Sequence, residues 1–129
     1  MQHIQGKMYA HRVQYCDKPI LNAPYVLVKS ANELAVLVNN TELSTFYSPE
    51  QYNEEYFLHH ALIFCSRAEG SGSISHSLKD IAVDGNTAII TITREVPVIG
   101  TCDMASWILV VETDAEPMES IHDIVVQYE

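Results

Sequence analysis

An α+β domain is the fold class this sequence predicts: a mainly antiparallel curved sheet, as a partly open β-barrel or a sandwich, with two short helices inserted after the second strand. Three observations predict it. Asp84-Gly85-Asn86 joins two alternating segments, a strong local hairpin signal. Segments beginning at Ser30 and at Ser48-Pro49 carry helix-start signals. Residues 62–67 and 107–112 are apolar on both faces, as strands covered on both sides are. Short connections between consecutive strands favour antiparallel pairing.

In chain order, residues 8–16 alternate, with Tyr9, His11, Val13 and Tyr15 on one face, and 24–29 form a short extended piece. Ser30-Ala31-Asn32-Glu33 fits a capping box, Leu34, Leu37 and Val38 form the apolar face behind it, and Asn39-Asn40 ends that helix. Ser48-Pro49-Glu50-Gln51 places a cap, a proline at the first helical position and an acid in the first turn. The segment through Tyr52, Tyr56, Phe57 and His60 then reads as a second helix of about three turns. After the break at Glu69-Gly70-Ser71-Gly72, the alternation along 74–83 slips: Ile74, His76 and Leu78 share one phase, Ile81 and Val83 the other. One extra residue near Lys79-Asp80, a β-bulge, reconciles them. Residues 87–96 set Ala88, Ile90 and Ile92 against Thr87, Thr91 and Thr93, and 123–128 close the chain with Ile124, Val126 and Tyr128 in phase. Residues 114–119, with Pro117 and three acids, form an exposed connection.

The 129 residues suit a single domain, 1–129, and 47% hydrophobic content fills its core without disulfides or metals. Residues 1–94 hold all seven Lys and Arg against nine acids, whereas 95–129 hold eight acids and no Lys or Arg. The net charge of −10 repels nucleic-acid backbones and anionic lipid heads, and suits a basic protein partner. No apolar run is long enough to span a bilayer. No signal-peptide pattern follows Met1, so the expected compartment is the cytoplasm if Met1 is native, and extracytoplasmic if a leader has been removed. Cys16, Cys65 and Cys102 are too few and too scattered for a disulfide framework.

The sharpest chemical candidate is Thr101-Cys102-Asp103-Met104-Ala105-Ser106-Trp107. A nucleophilic thiolate wants a cation or a histidine beside it, and Cys102 has Asp103, which blunts it. The alternative reading is a corner: Pro97 and Gly100 end one strand, Asp103 accepts backbone N–H bonds, and Trp107 anchors the next strand. His59-His60 cannot chelate one ion from a helix, and no C-x-x-C, H-x-x-x-H or H-E-x-x-H spacing occurs. Gly70-Ser71-Gly72-Ser73 lacks the phosphate-loop pattern and reads as a lip between strands that is free to contact a partner. His76 reads as a hydrogen-bonded core histidine, and Cys65 as core.

The runs YNEEYFLHHALIF, EGSGSISHSLKDIAVDGN, ITREVP and TCDMASW together resemble the PrcB-like family of protease-complex subunits, over about residues 25–113. This chain departs from the family pattern where Gly70-Ser71-Gly72-Ser73 replaces a Gly-Gly-Tyr element. The resemblance implies a non-catalytic β-rich domain that associates with a protease-type complex, many of whose relatives are extracytoplasmic, and it supplies no catalytic residues.

The functional expectation is therefore a non-enzymatic protein-binding or assembly module without a cofactor or metal. Its contact surfaces are the acidic C-terminal third and the loop ends, with Gly70, Ser71, Gly72, Ser73, Cys102 and Asp103 as candidate residues. The rival is a small-molecule- or metal-binding domain, or an enzyme, built on Cys102, Asp103 and His76. A third class is a homo-oligomer joined through a sheet edge such as 123–128.

Overall fold

A computed structural model describes residues 1–14, 21 and 23–129 as two four-stranded sheets and two helices, not closed into a barrel. One sheet has the order β1-β5-β6-β8, formed by Gln2–Ile4, Ser75–Asp84, Thr87–Glu95 and Asp123–Tyr128. The other has the order β2-β7-β4-β3, formed by Gly6–Val13, Ala105–Asp114, His60–Glu69 and Tyr25–Val28. The helices α1, Ala31–Val38, and α2, Glu54–His59, follow the two predicted N-terminal strands. A three-residue strand, β1, precedes those strands and pairs with β5.

The doubly apolar runs become β4 and β7, the inner strands of the second sheet, because both faces of that sheet are covered. Ala61, Ile63, Cys65, Leu109 and Val111 face the first sheet and meet Ile81, Ala88, Ile90, Ile92 and Ile124 there. Leu62, Phe64, Ile108 and Val110 face the helical layer and meet Leu34, Val38, Leu43, Tyr47 and Phe57. Three layers and two cores follow from the period-two alternation of these two strands. At the usual 1.5–3 kcal/mol for each fully buried large side chain, these cores supply the main driving force for folding.

Local chemistry explains the element ends. The Ser30 hydroxyl accepts the Glu33 N–H at 3.1 Å and starts α1, and Asn40, at φ 61°, ends it in the left-handed region. The hairpin joins β5 to β6 through Gly85-Asn86, with φ +63° at Gly85, the position at which a type II′ turn demands glycine. The register of β5 on β6 shifts between Leu78 and Asp80, where the slipped alternation requires a bulge.

Three findings correct the sequence reading. The second helix starts at Glu54 rather than Pro49. Ser48 to Tyr52 closes only one turn (Tyr52 N–H to the Ser48 carbonyl, 3.0 Å), and extended Asn53 interrupts it. The Asn53 side chain accepts the Tyr56 N–H at 3.0 Å and donates to the Glu50 carbonyl at 3.2 Å, so it caps α2 itself. A 3₁₀ turn, Glu42–Thr45, precedes it and buries Leu43. β8 runs parallel to β6, the exception in an otherwise antiparallel fold, because β7 is spent in the opposite sheet and the chain returns in its original direction. The 114–119 connection is exposed at its acids but buries Met118 completely. The predicted end of the first strand, Tyr15 and Cys16, lies outside the described residues.

Candidate functional site

The connection 70–74 joins β4 to β5 and the connection 96–104 joins β6 to β7, so two loops that each cross between the sheets meet at one end of the sandwich. There they are stitched together. Ser71 Oγ lies 2.7 Å from Ser73 Oγ and 3.0 Å from Thr101 Oγ1, and the Thr101 N–H donates to Ser73 Oγ at 3.2 Å. The Gly72 N–H donates to Asp103 Oδ1 at 3.2 Å, while Arg12, from the end of β2, donates from Nη2 to Asp103 Oδ2 at 2.7 Å. Hydrogen bonding from Thr101, then Arg12 and Gly72, holds the Asp103 carboxyl well below the usual carboxylate range. A Cβ on Gly72 would lie 2.5 Å from Asp103 Oδ2 and 2.6 Å from Arg12 Nη1, and one on Gly100 would lie 2.9 Å from Ser73 Oγ. Both glycines are what allow the loops to approach.

Ser71, Gly72, Ser73 and Asp103 are thus part of one braced surface with Thr101, Gly70 precedes it in the chain without a contact of its own, and Cys102 stands on it as an exposed free thiol. The braced loop also carries a feature the sequence reading did not single out. Val96, Val98, Ile99 and Met104 are between 55% and 104% exposed, four large apolar side chains within nine residues. Scattered exposed apolar residues need no explanation, but four within one short connection do. The signal was there in the run Val96-Pro97-Val98-Ile99, apolar yet interrupted by a proline that excludes it from a central strand.

Beneath the loops sits a clamp. Glu69 ends β4, Arg94 lies one residue before the end of β6, and His76 and Trp107 are the second residue of β5 and the third of β7, so all four stand near the loop stems. Glu69 is 4% exposed and receives Arg94 Nε at 2.7 Å, Arg94 Nη2 at 2.9 Å and His76 Nε2 at 2.8 Å. Arg67 Nε lies 3.5 Å from its other oxygen, and the Arg67 guanidinium lies over the Tyr128 ring at 4.3 Å. Burial pushes the Glu69 carboxyl up, but the hydrogen bonds from Arg94 and His76 and the charge of Arg67 outweigh it and bring the pKa down to about 2. The His76 ring stands edge-on to Trp107 at 5.7 Å. The clamp joins the two sheets at the point from which both loops hang.

The rival trio is placed differently. The His76 side chain is fully buried and bound to Glu69, whereas Asp103 is bound to Arg12 and Gly72 at the surface. Among the described residues no three His, Cys, Asp or Glu side chains are arranged to hold a metal ion. The acidic C-terminal third also divides: Glu112, Asp114, Glu116, Glu119 and Asp123 belong to the hairpin end of the sandwich, opposite the loops. Comparison of the chain with protein-family models, with curated proteins and with solved structures finds no match.

Proposed function

We propose that this domain is a non-catalytic protein-binding module whose contact surface is the braced loop pair, residues 70–73 and 96–104. The observation that carries the reading is the exposure of Val98 and Ile99 on a loop whose Thr101 and Asp103 are held by Ser71, Gly72, Ser73 and Arg12. A pre-ordered apolar projection loses little entropy on docking, which favours its use as an anchor. The partner it fits is a protein with an apolar recess and a basic rim, because the domain carries a net charge of −10 and Glu95 is exposed beside the tip. A lipid surface suits it less. Among the described residues at this end, Arg12 is committed to Asp103, Arg67 and Arg94 to Glu69 and Lys79 to Glu129, so headgroup phosphates find no free partner in them. Among the described residues no helix is long and apolar enough to cross a membrane. A non-catalytic partner-binding role is also what a PrcB-like resemblance implies.

Burying two such side chains contributes about 4 kcal/mol, on the order of a thousandfold in affinity. Capture from native cell extract with wild-type and Val98→Asp/Ile99→Asp baits, compared quantitatively, tests this. A partner retained by wild type and by Cys102→Ser but lost from the double variant supports the reading. Equal recovery by the double variant, or no partner at all from wild type, counts against it.

A further inference from the structure

The helical layer holds a recess of about 200 Å³. Leu34 and Val38 of α1 line it together with Tyr47, all three of them buried, and Ala35, Asn39 and Pro49 form its exposed rim. Ala31 and Ala35, four residues apart on α1, share the face that looks across the recess toward Pro49 and Tyr52. Their short side chains leave open a gap that larger residues at this spacing would fill. The 48–52 turn on the far side stops at extended Asn53, so no second continuous helix packs along α1 there. Close-packed interiors hold few voids larger than a water molecule, and a dry apolar cavity of about 150 Å³ is enough to take up benzene.

The lining selects the occupant. In a chain of net charge −10, no Asp, Glu, Lys, Arg or His is among the residues that line this recess. Burial first holds the Tyr47 and Tyr52 phenols above their ordinary value, so both are neutral at physiological pH, and their rings lie 5.0 Å apart. A charged group placed against such walls gives up its hydration and gains no counter-charge. Two polar lining groups are already used: the Tyr47 hydroxyl lies 2.8 Å from His11 Nε2, and the Ser44 hydroxyl donates to the Thr41 carbonyl at 2.9 Å. The Asn39 amide and the Tyr52 hydroxyl also line the recess, and neither has a side-chain hydrogen-bond partner among the described residues. A stable protein interface takes roughly 20–30 residues a side, against the nine that line this recess, so its size suits a small molecule rather than a second copy.

We propose that this recess binds a small uncharged ring compound, with its ring against Leu34, Val38 and the two tyrosines and one polar substituent at Asn39 or Tyr52. The site shares no residue with the loop pair and does not depend on the role assigned to that surface.

Benzyl alcohol, titrated into the labelled protein and followed by NMR shifts, is the neutral probe. Benzylammonium and benzoate carry the same carbon skeleton with a charge of either sign. Benzyl alcohol shifts the amides of Leu34, Val38 and Tyr47, raises Tm as its concentration rises, and binds about tenfold or more tighter than either charged probe. Ala35→Leu and Ala31→Leu fill the space from α1. At least one of them weakens benzyl alcohol by about tenfold or more, with the melt of the unliganded protein unchanged or raised. No shift at the lining residues, a charged probe bound as tightly, unaltered binding in both variants, or a lowered melt in both overturns the proposal. Shifts of the lining residues that follow protein concentration alone assign the recess to a second copy and overturn it as well.

Discussion

Replacing Glu69 by Gln keeps the shape of the clamp and removes its charge. In the native protein that carboxylate meets Arg94 through two bonds and His76 through a third, and its pKa falls from 4.5 to about 2. A fall of that size corresponds to about 3 kcal/mol at roughly 1.4 kcal/mol per unit. The Arg94 side chain is 27% exposed, so solvent screens part of this, and about 2–3 kcal/mol is the expected loss. For a domain of this size that lowers Tm by on the order of 10 °C at pH 7. The sign of the pH dependence is fixed by the depressed pKa. The stabilisation is fully present above the ordinary value near 4.5 and is lost as pH falls toward about 2, so the stability gap between wild type and Glu69→Gln narrows across that window. Urea titrations of both proteins between pH 7 and the lowest pH at which both remain folded measure the gap directly. A Tm within about 2 °C of wild type, or a gap that does not change with pH, refutes the clamp.

Trp107→Ala removes a half-buried ring from between the sheets and beside His76, and lowers stability by about 2–4 kcal/mol in a denaturant melt. Asp103→Ala frees the two loops from each other. Backbone amide exchange at Gly72 quickens several-fold while the strands keep their protection, and acidification of the wild type below the ordinary carboxylate range produces the same change because the Asp103 pKa is depressed. Cys102→Ser leaves Tm unchanged. In the native protein Cys102 reacts promptly with a thiol reagent, while Cys65, buried and pushed up to about 12, reacts only on unfolding. Gly85→Ala places a side chain at φ +63° and costs about 1 kcal/mol, read as a lower denaturation midpoint.

The parts of this fold legible in the sequence are those decided by neighbours along the chain. The Asp84-Gly85-Asn86 turn, the slipped phase at Lys79-Asp80 and the Ser30 cap each depend on a few consecutive residues, and each is where the alternation and cap chemistry place it. The double burial of β4 and β7 was readable because both faces of a strand are written in one short run. What could not be read depends on distant residues. Nothing near Asp103 announces that its cation is Arg12, 91 positions earlier, or that its backbone donor is Gly72 in another loop. The clamp is equally non-local, since Glu69 and Arg94 belong to different sheets. The parallel setting of β8 follows from the sheet in which β7 was placed, which no local pattern encodes. The second helix was misread for a different reason: Ser48-Pro49 and Asn53 are both competent caps, and the Asn53 side chain, bonded on both sides, prevails. For the candidate surface, Gly70–Ser73 and Cys102-Asp103 were each singled out, but their convergence and the apolar tip between them required the fold.

The central functional claim is that the 96–104 loop is where a partner docks. A photo-crosslinking benzophenone side chain placed at position 99, compared with one at position 58 on the helical layer, tests it most directly. Both sites are open, with Ile99 89% and Leu58 73% exposed. In native extract the account predicts one discrete adduct from position 99, competed away by excess wild-type protein but not by Val98→Asp/Ile99→Asp, and absent from position 58. Adducts that form equally from both positions, or that the double variant competes as well as wild type, contradict it.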